Sequence, residues 1–248
     1  MKINSPLQET LTFKVPAYAC NARKQLSIPH LIREFQEAAL LSTLRLGVSV
    51  LDLEPKGIGW VLLGQYIKLD RTPQLNESCT IVTCPTGFER VFTYRDFHLL
   101  DEQGKRIGTA STTWMLMDLK SRRMAQLPDF IKILGEKIPP KEEQLPRAGY
   151  KLNSLAQGAD VRSFQVGHHQ LDFNGHLTNP VYVEWMLEGL PAGVFANQEL
   201  KELAIQFKQE ARYGDTVSVQ ITKGHGDLYH HGLLMDGKPL ASMQTTWK

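Results

Sequence analysis

The chain has 248 residues, of which 42% are hydrophobic and 22% charged, with a formal net charge of +2. That is an ordinary globular composition, long enough for one large or two small cored domains, and too weakly charged to argue for a nucleic-acid partner. Cys20, Cys79 and Cys84 are odd in number and lack CxxC spacing, which implies neither a disulfide framework nor a zinc site.

Met1 to Pro6 carry no continuous apolar run of the signal-peptide kind, and the most apolar stretch, residues 38–53, is interrupted by Arg45 and Asp52. The expectation is a cytoplasmic protein with no membrane span. Residues 10–19 alternate apolar and polar side chains as a half-buried strand does, with Pro16 marking an edge or a bulge. After Ser27 and Pro29 a long helix is predicted, with Leu31, Phe35, Ala38, Ala39 and Ser42 on one face and Gly47 ending it. Residues 60–69, 79–85, 90–100 and 105–116 then read as strands separated by Thr72-Pro73, Thr86-Gly87 and residues 101–104. One strand, one long helix and a run of antiparallel strands is an α+β pattern, in which the sheet wraps the helix.

Residues 135–150 are rich in proline and charge, poor in periodicity, and read as a linker. Beyond them the order repeats: a strand near 163–166, a polar loop, a helix at 180–189, then strands at 200–210, 216–223, 228–235 and 238–247. Gly104-Lys105 followed by Thr112-Thr113-Trp114 has a counterpart in Gly237-Lys238 followed by Thr245-Thr246-Trp247. The reading is a duplicated unit, with an N-terminal domain at 1–138, a linker at 139–150 and a C-terminal domain at 151–248.

The polar loop holds Asp172, Asn174 and His176 at alternate positions, just ahead of a helix start where Asn179 suits the N-cap and Pro180 the first turn. Gly189 and Pro191 stop that helix. A carboxylate, a carboxamide and an imidazole against free helix-start N–H groups suit acyl transfer, where a developing anion needs donors. Taken singly, Asp172 and Asn174 are also good turn formers and His176 could be a structural histidine; the cluster points to chemistry more than its members do. His168-His169 and His230-His231 do not make a metal site attractive, because adjacent strand residues face opposite ways. The pattern asks for no cofactor.

Several segments resemble the acyl-acyl carrier protein thioesterases: Trp60-Val61, Asp70-Arg71-Thr72-Pro73, residues 110–117, Arg122-Arg123 and residues 171–179. The spacing Asp172-x-x-Gly175-His176 with Tyr182 is also similar to the wider hot-dog thioesterases, acyl-CoA members included. The resemblance implies two tandem hot-dog domains, each a curved antiparallel sheet around one long helix, the first shaping the acyl pocket and the second carrying the catalytic motif. It implies functional roles for Asp172, Asn174 and His176, and for Glu210 on the strand after the helix. The family often has a second Asn where Thr178 stands and a Cys where Ala211 stands; the latter departure excludes a cysteine nucleophile at that position.

On this reading His176 is the general base, since imidazole ordinarily titrates near neutrality, and Glu210 fixes its tautomer or helps polarise water. Asn174 orients the base or the water, and helix-start N–H groups form the oxyanion site. Asp172 either positions its neighbours or attacks to give a transient anhydride. Asn179, Tyr182, Arg122 and Arg123 are expected to bind substrate. The basic cluster of Lys120, Arg122, Arg123, Lys132 and Lys137 is expected to dock an acidic acyl carrier protein bearing a phosphopantetheine-linked chain. Alternatives are an acyl-CoA thioesterase, a hot-dog dehydratase or a non-catalytic acyl-binding module. Exposed sheet edges would allow a homodimer.

Overall fold

The computed structural model describes residues 3–147, 152 and 160–248. In β1 (Glu9–Lys14) every second side chain is more shielded than its neighbours, as period-two patterning demands. β1 is shorter than predicted, because Pro16 offers no N–H and the chain turns into a 3-10 turn at Ala17–Ala19. Next comes α1 (Ile28–Arg45), which buries the predicted face: Leu31, Phe35, Ala38, Ala39 and Ser42. Gly47 leaves it at φ +67°, where a side chain would be strained. The first half continues through α2 (Val50–Leu53), β2 (Ile58–Leu69), β3 (Ser78–Glu89), β4 (Phe92–Leu100), β5 (Arg106–Asp118), β6 (Met124–Ala125) and α3 (Asp129–Lys132).

The second half has β7 (Asp160–Gln165), α4 (Asn179–Leu187), α5 (Ala192–Asn197), β8 (Leu200–Phe207), β9 (Thr216–Lys223), β10 (Leu228–Met235) and β11 (Lys238–Trp247). Three details depart from expectation. Thr178, not Asn179, is the N-cap of α4, which puts Pro180 one residue further into the first turn. β8 stops at Phe207, so Glu210 lies in the loop that follows and not on a strand. The turn of helix at α5, between Pro191 and β8, was not foreseen.

All the strands belong to one antiparallel sheet in the order β1-β3-β4-β5-β2-β8-β11-β10-β9-β7, with β6 on β5. The two five-strand blocks share one internal order about the central β2–β8 pair, which aligns Gly64 with Gln206 and Lys68 with Glu202. A Cβ on Gly64 would lie 3.0 Å from the Ile205 carbonyl oxygen, so the close approach at the junction needs glycine. Even the irregularities repeat: β2 slips against β5 beside Trp114, and β8 slips against β11 beside Trp247.

The core lies on the face of the sheet that the helices cover. α1 packs on it through Phe35, whose ring is 5.2 Å from that of Phe97 on β4, and α4 is buried nearly all round through Val181, Val183, Trp185, Met186 and Leu187. Burying each such side chain is worth about 1.5–3 kcal/mol relative to exposure. The stretch predicted as a linker is tied to the first half as far as Arg147: the Leu145 N–H donates to Asp96 Oδ2 at 2.8 Å, and the Arg147 guanidinium sits 4.2 Å from the Tyr94 ring centroid. The predicted boundary at 150/151 lies outside the described residues.

Candidate active site

The loop that carries Asp172, Asn174 and His176 is shaped by its own polar groups. Leu171 and Leu177 form an antiparallel bridge, the Asp172 N–H donates to the His176 carbonyl at 2.8 Å, and Gly175 takes φ +75° at the tip. Asp172 Oδ1 accepts from the backbone N–H groups of Asn174 at 2.8 Å and His176 at 3.1 Å. One carboxylate oxygen thus closes the turn that aims the imidazole.

The first half builds the same loop without the same chemistry. Cys20 and Leu26 form the matching bridge, Lys24 takes φ +59° at the tip, and Asn21 Oδ1 accepts from the N–H groups of Arg23 at 2.9 Å and Gln25 at 3.1 Å. Asn21, Arg23 and Gln25 therefore stand where Asp172, Asn174 and His176 stand in the second half. Gln25, in place of the imidazole, donates to Glu199 at 3.2 Å and cannot act as a base.

Around His176 three elements meet. Its Nε2 lies 3.2 Å from Glu210 Oε2, and the same oxygen accepts from Arg122 Nη2. Arg122 comes from the β5–β6 hairpin of the first half, where it holds φ +57° while its N–H donates to the Asp118 carbonyl at 2.9 Å. It is expected on a docking surface; the structure pairs it with Glu210 at the cavity wall while leaving its side chain 43% exposed, and Lys120, Arg123, Lys132 and Lys137 of that cluster do not line the cavity. No sequence signal marks this, because the pairing is between distant loops.

Tyr182 also departs from expectation. It is buried, it is absent from the cavity wall, and its hydroxyl donates to the Gln209 carbonyl at 3.1 Å while accepting the Ala211 N–H at 3.1 Å. Burial raises the phenol above its ordinary pKa, so it stays neutral. Its work is to hold the 209–211 loop so that Glu210 faces His176. Ala211 is fully buried behind it and gives its carbonyl to the Leu177 N–H at 2.8 Å.

At the start of α4 the Thr178 and Val181 N–H groups are taken by Gln170 and Thr178 carbonyls, and Pro180 has none. The Asn179 N–H has no acceptor among the described residues and lies beside the same cavity. That cavity has a volume of about 700 Å³. Asp172, Asn174, His176, Thr178, Asn179 and Glu210 line one part of it, all from the second half. Apart from Phe173, the rest of its wall is first-half and mostly apolar, including Ala39, Leu40, Trp60, Leu62, Trp114 and Ile131. Its size and lining suit an extended apolar ligand whose one polar end reaches the imidazole.

The histidine pairs have local roles. His168 stacks on Tyr213 at 3.9 Å, and buried His231 bonds the Met186 carbonyl and the Thr245 hydroxyl. Among the described residues no three metal-ligating side chains converge, and no helix is long and apolar enough to cross a membrane.

Compared with known proteins, residues 7–134 match the family model of the acyl-ACP thioesterase N-terminal domain, and residues 154–248 that of its C-terminal domain. The chain is 26% identical over 96% of its length to an acyl-[acyl-carrier-protein] hydrolase of Cuphea viscosissima, and 25% identical over 99% to a palmitoyl-acyl carrier protein thioesterase of Cuphea hookeriana, both named as chloroplastic. It spans 61% and 64% of the lengths of those relatives. In fold it is similar to an acyl-ACP thioesterase from Bacteroides thetaiotaomicron, with a TM-score of 0.89, 20% identity and 98% of each chain covered.

Proposed function

We propose that this chain, which belongs to the acyl-ACP thioesterase family, hydrolyses fatty acyl-acyl carrier protein to free fatty acid and carrier protein, with its two halves acting as tandem hot-dog units. The observation that carries this reading is the His176–Glu210 pair at 3.2 Å on the wall of a largely apolar cavity of about 700 Å³. A binding module has no need of a carboxylate-oriented imidazole there.

In this reading His176 Nε2–H donates to Glu210, which leaves the Nδ1 lone pair to take a proton from water. The oxygen of that water bonds to the thioester carbon, the negative charge moves to the carbonyl oxygen, and the Asn179 N–H at the start of α4 receives it. Collapse breaks the C–S bond, and the imidazolium returns its proton to the departing thiolate. Arg122, paired with the same Glu210 oxygen, holds that carboxylate in place against the imidazole. Asn174 points its amide toward the water, and Asp172 holds the loop. The first half supplies the pocket for the acyl chain and, through Arg122, one member of the charge relay's support.

The decisive measurement is thiol release from saturated acyl-carrier protein, run beside the same chains on coenzyme A. Release that is faster from the carrier protein than from coenzyme A is expected. Glu210→Ala is expected to lower kcat with little change in KM, because the group acts mainly in the transition state, and His176→Ala to lower it about 10²–10⁴-fold. No release from any saturated thioester would leave dehydratase or binding functions; full activity in both variants would move the chemistry elsewhere.

A further inference from the structure

Several charged side chains line the cavity, Arg33, Glu37 and Glu54 among them, but among the charged residues of its wall only Arg95 is buried, where an apolar acyl chain does not call for it. Phe97 on β4 meets Phe35 of α1, so the odd-numbered side chains of this strand face the helix. Arg95 is therefore on the cavity side, and it lines the same cavity as His176 and Glu210. It is only 7% exposed.

A guanidinium has five donors. Among the described residues Arg95 makes one side-chain hydrogen bond, from Nη1 to Thr83 Oγ1 at 3.3 Å, and Thr83 in turn donates to the Asp96 carbonyl at 2.8 Å. The two carboxylates whose fields reach it are engaged elsewhere. Asp96 points to the opposite face, 3.6 Å from Arg147 and 2.8 Å from the Leu145 N–H, and Glu9 bonds Arg45 at 2.6 Å. No ion pair forms at Arg95 among the described residues. Burial pushes its pKa down to about 10, which still leaves it cationic at neutral pH. A desolvated cation without a direct counter-ion costs several kcal/mol, and Arg95 brings its uncommitted donors to the cavity wall.

We propose that Arg95 receives a second oxygen function carried by the acyl chain, a carboxylate or hydroxyl remote from the thioester, so that the pocket selects oxygenated over plain acyl chains. This rests on the thioester-hydrolase reading above. No hydrogen bond or ion pair joins Arg95 to Asp172, Asn174, His176, Arg122 or Glu210, so it is a specificity-determining residue and not part of the reacting group. A carboxylate would take two parallel N–H donors from the fork, and a hydroxyl one. A plain chain of the same length would leave those donors desolvated, and a site built to bond an oxygen discriminates strongly against the analogue lacking it.

The test compares thioesters of one thiol carrier and equal chain length that end in methyl, hydroxyl or carboxylate, over a series of lengths. Wild type is expected to favour an oxygenated chain by at least about tenfold in kcat/KM at one length. Arg95→Met, close in length but uncharged, is expected to abolish that preference and to hold or raise the rate on the methyl-ended chain; Arg95→Lys should keep part of it. Binding of free mono- and dicarboxylic acids to wild type, followed by the fluorescence of Trp60 and Trp114, needs neither hydrolysis nor a folded variant. Tighter binding of the dicarboxylic acid is expected. Equal handling of all chain ends by wild type, or an equal loss on every substrate in Arg95→Met, overturns the proposal. Absence of thiol release from every substrate, with the binding preference intact, overturns the hydrolase reading instead.

Discussion

Asp172 and Asn21 occupy matching positions in matching loops, and each uses one side-chain oxygen to gather two backbone N–H groups. Since an amide does this in the first half, closing the loop requires an acceptor and not a charge. Asp172→Asn is therefore expected to keep the melting temperature of the wild type, whereas Asp172→Ala should lose about 0.5–2 kcal/mol, the usual cost of removing a cap-like acceptor. Thermal unfolding of the two variants checks this, and an Asn variant as unstable as the Ala variant would show that the loop needs the charge. The same geometry commits Oδ1 to the loop, where it positions its neighbours. Single-turnover hydrolysis in labelled water should accordingly leave no label in the protein carboxylate.

Strands and helices were legible wherever period carried the information. The face of α1 through Leu31, Phe35 and Ala38, and the strands β9, β10 and β11, follow from spacing alone. The repeated Thr-Thr-Trp was legible as letters, and its physical basis is a side-chain bond on one strand face. Trp114 Nε1 donates to Thr112 Oγ1 at 2.8 Å, and Trp247 Nε1 to Thr245 Oγ1 at 2.9 Å. What the letters hid were features set by partners far along the chain: the end of β8, the bracing by Tyr182, the pairing of Arg122 with Glu210 and the buried charge of Arg95. The duplicated bond also gives a ranking. In the second half Thr245 additionally bonds His231 Nε2 at 2.8 Å, and all three groups are buried, so Thr245→Val leaves two polar atoms without partners or water. A loss of roughly 2–4 kcal/mol is expected there. Thr112→Val should cost about 1 kcal/mol or less, because the Trp114 indole lines the cavity and water can replace the lost acceptor. Denaturant unfolding measures both, and equal losses would mean that burial of the Trp–Thr bond does not set its worth.

At the scale of the molecule the two halves are one sheet, and the candidate site exists only because both contribute to it. Glu210 and His176 come from the second half, while Arg122 and most of the cavity wall come from the first. This division separates two kinds of arginine that adjoin in sequence. Arg122 is spent on Glu210, so reversing its charge should lower kcat on every thioester, carrier-bound or small. Arg123, with Lys120, Lys132 and Lys137, is exposed on the same side, among the exposed apolar side chains of Met124, Phe130 and Ile133. On the proposed function, a basic rim around apolar groups would suit an acidic carrier protein bringing its acyl arm to this cavity. The combined reversal Lys120→Glu and Arg123→Glu should raise KM for acyl-carrier protein about 3- to 30-fold at low salt, less at high salt, and leave kcat and the hydrolysis of small thioesters unchanged. Steady-state kinetics on both substrate classes at two ionic strengths decides it. An equal rise for small thioesters would mean that the reversal had disturbed the Arg122 hairpin, and no rise for either would place the carrier on another face of the protein.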